Sequence, residues 1–246
     1  MKSFRTPAEE RVGKAMEQLF LASPDPVEVK LENFPKYVRR QSLKRFLTLY
    51  EVFKMVLPIK GSVVDCGVFR GFSLMSWAKL STILEPENLT RRIYGFDSYG
   101  GFPTVHPNDQ TGSGIAQPGQ FSEISDHYAE LKELIQQYDQ DRFLGHIPKI
   151  ELLRGDATKT IPDFLEQHRH LLVSLLFLDF DLYEPTKTAL ECFVPRMPAG
   201  AVLAFDELDN PIWPGETMAL LNCFGSKRLP IRRLEWDPYI GYVVME

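Results

Sequence analysis

Residues 171–186 read LLVSLLFLDFDLYEPT, and the order of residue types in this stretch decides the fold. Leu171 to Leu178 is an apolar run of mostly large aliphatic side chains, long enough to cross a sheet buried on both faces. It stops on two carboxylates, Asp179 and Asp181, with Phe180 between them. Side chains alternate along a strand, so both acids face the same way if the strand reaches them. Two like charges are costly in a core unless a cation binds them or the strand has already left it. Glu184-Pro185-Thr186 then starts a helix, with proline near its first turn. Open α/β sheets build their sites at such C-terminal strand ends.

Outward from this strand, apolar runs and helical patterns alternate, which predicts a parallel sheet with crossover helices. SVVDCG (62–67), RRIYGFD (91–97), KIELLRGD (149–156) and GAVLAFDE (200–207) read as the other strands. GFSLMSWAKLSTIL (71–84), SEISDHYAELKELIQQY (122–138), KTIPDFLEQH (159–168), EPTKTALECFVPRM (184–197) and PGETMALLNCFG (214–225) read as helices. PIRRLEWDPYIGYVVME (230–246) reads as two strands joined by a short turn, which must be antiparallel. An α/β sheet that is mostly parallel and ends in an antiparallel hairpin is the Rossmann-like topology of class I methyltransferases.

Before the sheet, residues 1–22 predict a helix with Val12, Met16, Leu19 and Phe20 on one stripe. SPDPVEV (23–29) reads as a break, and a second helix is expected from Pro35 to Met55, with Val38, Leu43, Phe46, Leu47, Tyr50 and Phe53 as its apolar face. The expected organisation is a helical extension over 1–60 and one domain over 61–246.

The 246 residues are 44% hydrophobic and 25% charged, enough for one substantial core. No apolar run has the length of a membrane span, and the first residues lack a signal core. Cys66, Cys192 and Cys223 make neither a disulfide framework nor a zinc pattern, which fits a reducing, cytoplasmic setting. The net charge of −5 is uneven: residues 1–60 hold 12 Lys/Arg against 7 Asp/Glu, a net of +5, so the remainder carries −10. Lys36, Arg39, Arg40, Lys44 and Arg45 cluster in one segment, readable as a solvated face or an anionic-substrate patch. An acidic protein without aromatics among its basic residues argues against a nucleic-acid partner.

Asp65-Cys66-Gly67-Val68-Phe69-Arg70-Gly71-Phe72-Ser73 lies at the first strand–helix junction. Glycines there let backbone and helix N–H groups approach a ligand. Phe69 stands where a dinucleotide fold wants its second glycine, which disfavours a pyrophosphate and suits S-adenosylmethionine. Candidate cofactor contacts are Asp65, Gly67, Val68, Phe69, Gly71 and Ser73. Asp97 and Ser98 follow the second strand, where an acid can accept both ribose hydroxyls. Asp156 and Ala157 follow the third, where Asp156 could accept from an adenine amino group. Any one of these acids could instead cap a helix. Three at consecutive strand ends point to an adenosyl ligand.

Asp206-Glu207 end the fifth strand. If it neighbours the fourth, Asp179, Asp206 and Glu207 converge as a hard oxygen site suited to Mg²⁺ or Mn²⁺. The loop from Tyr99 to Phe121 is long and rich in Gly and Pro, and is expected to be a lid, with His106 and Asp109 its notable polar residues. Tyr99, His106, Tyr183, Trp213 and Glu216 are candidate substrate contacts, Trp213 as a face for a sugar ring.

VVDCGVFRGFS, YGFDSYGGFP, LLRGDA, LDFDLYEPT and LAFDE together resemble the TylF/MycF (macrocin) family of S-adenosylmethionine-dependent sugar O-methyltransferases, over about residues 60–225. The resemblance implies a Mg²⁺ site at Asp179, Asp206 and Glu207, with Asp179 also the base. Asp181 beside it reads as a group supporting the metal ligands or as the substitute base. Many members carry Asp where this chain has Glu207. It also implies a small-molecule sugar or glycoside acceptor in natural-product tailoring. Catechol-type relatives place a lysine where this chain has Leu182, so a lysine base is not available here. The rival readings are a nicotinamide-dependent oxidoreductase and a non-catalytic adenosyl-binding protein. No nucleic-acid or membrane partner is expected, and the oligomeric state, a homo-oligomer included, stays open.

Overall fold

A computed structural model of the chain describes residues 6–114, 116–124, 126–225 and 229–246. The chain divides into two compact units, Met1–Leu47 and Thr48–Glu246.

In the first unit, α1 (Pro7–Ala22) begins at a capping box that pairs Thr6 with Glu9. The Thr6 N–H donates to Glu9 Oε2 at 3.0 Å, and the Glu9 N–H donates to Thr6 Oγ1 at 3.3 Å. The expected stripe is only partly used, since Val12 is 52% and Leu19 62% exposed. Phe20 instead meets Tyr37 edge-on at 5.1 Å, with Lys30 Nζ 4.9 Å from its ring centre. The expected break contains the start of a short helix, α2 (Val27–Glu32). The second long helix begins later than Pro35. Phe34–Lys36 forms a separate 3-10 turn with proline near its start, and α3 (Arg40–Val56) follows. The helix expected over Pro35–Met55 is thus shared between two elements, and residues 1–5 of the one expected over 1–22 lie outside the described residues.

The second unit holds the sheet. β1 (Ser62–Cys66), β2 (Ile93–Asp97), β3 (Ile150–Arg154), β4 (Val173–Leu178) and β5 (Val202–Phe205) are parallel to their neighbours. β7 (Gly241–Val244) runs antiparallel to β5, and β6 (Arg232–Arg233) antiparallel to β7. Among the described residues the order is β3-β2-β1-β4-β5-β7-β6. The terminal hairpin is as expected in sense, but residues 234–240 join its strands rather than a short turn. The strand order reverses between β1 and β4, so the loops that leave their paired C-terminal ends bound a crevice.

The central strands are apolar throughout because helices cover both faces: β1 and β4 are buried at every residue. The crossover helices are α4 (Phe72–Leu84), α5 (His127–Gln140), α6 (Ala157–Gln167), α7 (Tyr183–Phe193) and α8 (Gly215–Cys223). α5 starts later than the sequence pattern suggests, after a 3-10 turn at Ser122–Ile124; Ser125 lies outside the described residues. On one face Trp77 packs between Phe53 (6.2 Å, stacked) and Phe177 (5.6 Å, edge-on). The three cysteines are free, Cys66 buried and the others half-buried.

Candidate active site

The end of β1 is held against the end of β4. The Asp179 N–H donates to the Cys66 carbonyl at 2.8 Å, and Gly67 turns away at φ 92°. A Cβ on Gly67 would stand 1.9 Å from the Asp179 carbonyl oxygen, so only glycine permits this approach. Asp65, expected at the cofactor, is fully buried beneath the turn. Its oxygens accept from Ser73 Oγ at 2.9 Å and Trp77 Nε1 at 3.1 Å, tying β1 to α4. Asp65 and Ser73 therefore brace the turn. Val68 is also buried, 2% exposed, with a Cγ 2.8 Å from where a Cβ on Gly95 would lie. Any contact from Val68 to a ligand must come from its backbone.

Phe69 has φ 50°, and its N–H donates to Asp97 Oδ2 at 2.8 Å. The Tyr99 N–H donates to Asp97 Oδ1 at 2.7 Å. Burial pushes the Asp97 carboxyl up, and these two N–H groups pull it partly back. Each oxygen keeps a second lone pair for a hydroxyl. After β3, Asp156 caps α6: its Oδ1 accepts from Thr158 N–H at 3.0 Å and Oγ1 at 2.7 Å, leaving Oδ2 3.7 Å from Lys159 Nζ. Capping is its evident structural role, and only Oδ2 remains for an adenine amino group.

β4 and β5 are neighbours, with Leu178 paired to Phe205, so Asp179 and Asp206 leave the sheet side by side. A glutamate from α8 joins them from below. Glu216 is fully buried, and its carboxylate accepts from the Asp181 N–H and the Glu207 N–H, each at 3.2 Å. Burial drives the Glu216 carboxyl far up, and the negative charges of Asp179, Asp181, Glu207 and Asp206 add to this. That convergence of hard oxygen donors fits a divalent cation chemically. The arrangement is not preset for one: among the described residues no group of three or more His, Cys, Asp or Glu side chains is disposed to hold a metal ion. Glu207 Oε2 accepts from Asn210 Nδ2 instead.

The Tyr99–Phe121 loop folds into a wall of the crevice. It is closed at its base by Phe102 N–H to Gln120 O and Gly119 N–H to Phe102 O, both 2.9 Å. Phe102 meets Phe121 at 5.2 Å and Trp213 at 5.9 Å, and Phe69 meets Phe121 at 5.8 Å, giving the loop an aromatic core of its own. Four expected substrate contacts are buried: Tyr99 and Glu216 at 0%, Tyr183 at 6% and Trp213 at 8% exposed. Trp213 packs against Phe102 and Phe121, in a small cluster that also holds Leu182 and Ala116. Tyr183 accepts from Asn222 Nδ2 at 3.0 Å and stacks on His106 at 4.5 Å. The Tyr99 ring instead packs edge-on against Tyr128 at 5.1 Å. His106 remains half-exposed, Nε2 3.5 Å from Glu184.

A cavity of about 180 Å³, open at its mouth, runs between these strand ends. Gly67, Phe69, Asp97, Ser98, Asp156 and Ala157 line one end, and Asp179, Phe180, Asp181 and Leu182 the other. Phe102, Pro103 and Thr104 of the loop close one side. Asp206 and Glu207 stand outside this lining. Of the lining residues outside the candidate set, Thr104 and Thr158 lie beyond the quoted motifs, whereas Pro103 and Leu182 lie within them.

The sheet order and the strand-end crevice define a class I methyltransferase fold. The chain matches the family model for macrocin O-methyltransferase (TylF) over residues 39–224. It is 34% identical to CalS11, a calicheamicin methyltransferase, over 98% of this chain and 94% of that one, with a TM-score of 0.93. An apo structure of CalS11, a TDP-rhamnose 3'-O-methyltransferase of calicheamicin biosynthesis, matches at 32% identity and TM-score 0.85, over 98% and 96% of the two chains. The O-methyltransferase NovP shares the fold at 18% identity and TM-score 0.60, over 82% and 79%. No curated protein matches. The chain belongs to the macrocin O-methyltransferase family and is an O-methyltransferase. Family membership removes the oxidoreductase and non-catalytic readings. Among the described residues no helix is long and apolar enough to cross a membrane.

Proposed function

We propose that this enzyme moves a methyl group from S-adenosylmethionine to a sugar hydroxyl of a small-molecule glycoside or nucleotide sugar, with Mg²⁺ as its metal. The supporting observation is that Asp97 and Asp156 share one cavity with Asp179 and Asp181. An adenosyl group held by the first pair reaches toward the second along that cavity. S-adenosylmethionine supplies the methyl group. Gly67 and Phe69 present backbone to it, Asp97 takes the ribose hydroxyls, and Asp156 Oδ2 and Ala157 face the adenine. Asp179, Asp206 and Glu207 would hold the cation, which makes a bound hydroxyl more acidic. Asp179 is the proposed base, with Asp181 placed to replace it. The loop excludes water, and most of the rate gain comes from alignment.

The sugar acceptor rests on family membership and on the similarity to CalS11. A role in natural-product tailoring, a cytoplasmic location and the division into 1–60 and 61–246 belong to the same proposal. Incubation with S-adenosylmethionine, Mg²⁺ and TDP-rhamnose as first acceptor, read by mass spectrometry, tests it. A methyl-sized gain on the sugar, abolished by EDTA, is expected; transfer unaffected by EDTA would remove the metal.

A further inference from the structure

One buried side chain connects the loop to the acids. Asp109 is 2% exposed although it lies in the 99–121 loop. Its Oδ2 accepts from the His106 N–H at 2.8 Å, closing the 3-10 turn Pro107–Gln110 that carries it. Its Oδ1 accepts from the Tyr183 N–H at 2.7 Å, 74 residues along the chain. Tyr183 is the first residue of α7, and the preceding Leu182 has no side chain able to cap that helix. Asp109 caps it from another part of the fold and places a carboxylate at the positive helix end.

Room for this contact comes from Gly215. A Cβ there would stand 2.5 Å from Asp109 Oδ1, 2.6 Å from the Asp181 carbonyl and 2.6 Å from the Tyr183 nitrogen. The next residue, Glu216, accepts from the Asp181 N–H at 3.2 Å. Asp181 itself has φ 63°, a conformation that a non-glycine residue keeps only when its surroundings impose it. The segment 181–183 is therefore gripped by α8 on one side and by the loop on the other.

We propose that Asp109 is a positioning residue that makes the geometry of the Asp179–Asp181 segment conditional on the loop being closed. When the loop lifts, Tyr183 loses its acceptor, and the strained segment loses one of its two grips as the cavity opens. The acids are then set for transfer only over an enclosed acceptor. The activity arm of the test rests on the proposed function; the exchange arm does not.

The test is hydrogen exchange by mass spectrometry on the full chain with S-adenosylhomocysteine. Asp109→Ala should speed exchange about tenfold or more in peptides over both 99–121 and 180–187, leaving 93–97 unchanged. Asp109→Asn keeps an oxygen for Tyr183 and should restore most of the protection over 180–187. Gly215→Ala keeps Asp109 but fills the meeting point, and should loosen the same two segments. With TDP-rhamnose as probe acceptor, kcat should fall at least about tenfold in Asp109→Ala while the S-adenosylhomocysteine Kd moves less than about twofold. Wild-type exchange over 180–187 in Asp109→Ala would overturn the proposal, as would an Asn variant as open as the Ala variant. If Asp109→Ala does not fold, the Asn and Gly215→Ala variants decide by the same criterion. Wild type that leaves TDP-rhamnose unmethylated counts against the acceptor, and the exchange result still decides the coupling.

Discussion

The Phe69 N–H lies 2.8 Å from Asp97 Oδ2, so the turn after β1 is tied to the acid that ends β2. Phe69 holds a positive φ of 50° in making this bond. One carboxylate thus shapes the loop on one side and faces the cavity on the other. Asp97→Ala should weaken S-adenosylhomocysteine binding by about 2–3 kcal/mol, the worth of charge-assisted bonds to two hydroxyls. Titration calorimetry measures it, and unchanged affinity would take Asp97 out of the site.

Trp213 packs on the loop through Phe102 and Phe121. Replacing it with Ala removes that core at a cost of about 3–5 kcal/mol, borne mainly by the loop. Limited proteolysis should therefore nick 99–121 faster in Trp213→Ala, and bound cofactor and acceptor should slow nicking in wild type. Cutting at the same rate in both proteins would mean that the tryptophan does not hold the loop.

The acids should separate by role. Asp179→Asn and Asp206→Asn each remove a charge from the converging carboxylates while keeping size. Turnover should collapse in both, and cofactor affinity should barely change, because the adenosyl end is proposed to lie at β2 and β3. Excess Mg²⁺ should partly rescue Asp206→Asn but not Asp179→Asn if Asp179 is the base. Asp181→Asn should be milder; the reverse pattern would make Asp181 the base. Rates across a Mg²⁺ series distinguish these cases.

Lys149 gives a stability prediction with a definite sign. It is 5% exposed, and its Nζ donates to the Asn88 carbonyl at 2.8 Å. Burial pulls its ammonium down to about 8 from 10.5, opposed by Glu85 and helped by Arg142, Arg91 and Arg92. Between those values the unfolded chain binds the proton and the folded chain does not. This lysine's contribution to stability therefore rises with pH from about 8 to about 10.5, and its cost is fully felt below that window. Relative to wild type, Lys149→Met should gain most below pH 8 and lose that advantage above it. Parallel urea midpoints for the two proteins across the window would refute this.

The strands, their order of types and the acids at their ends were legible in the sequence because they depend on local pattern. An apolar run such as LLVSLLFL has few ways to be buried, and the first polar residue after it marks where the strand leaves the core. Asp97, Asp156 and Asp179 were found in this way, and all three line the cavity. Residue type could not tell which face Tyr99, Tyr183, Trp213 and Glu216 present, and all four are buried. The 3-10 turn before α3 was likewise beyond reach, since Pro35 suits the start of either helix type.

What only the tertiary structure decided are relations between residues far apart in the chain. Arg91 is 2% exposed and donates to the carbonyls of Val56, Ile59 and Gly61 while paired with Glu85 at 2.7 Å, a set no spacing rule predicts. Gly67 needed its hydrogen-sized side chain only because β4 arrives beside it from 112 residues away. Asp109 became a helix cap for α7 because Gly215 leaves room for it. Local sequence determines which segments can be strands and where charge must emerge. Which distant backbone groups meet that charge depends on how the whole sheet and its loops pack, because a hydrogen bond takes whatever partner lies within reach.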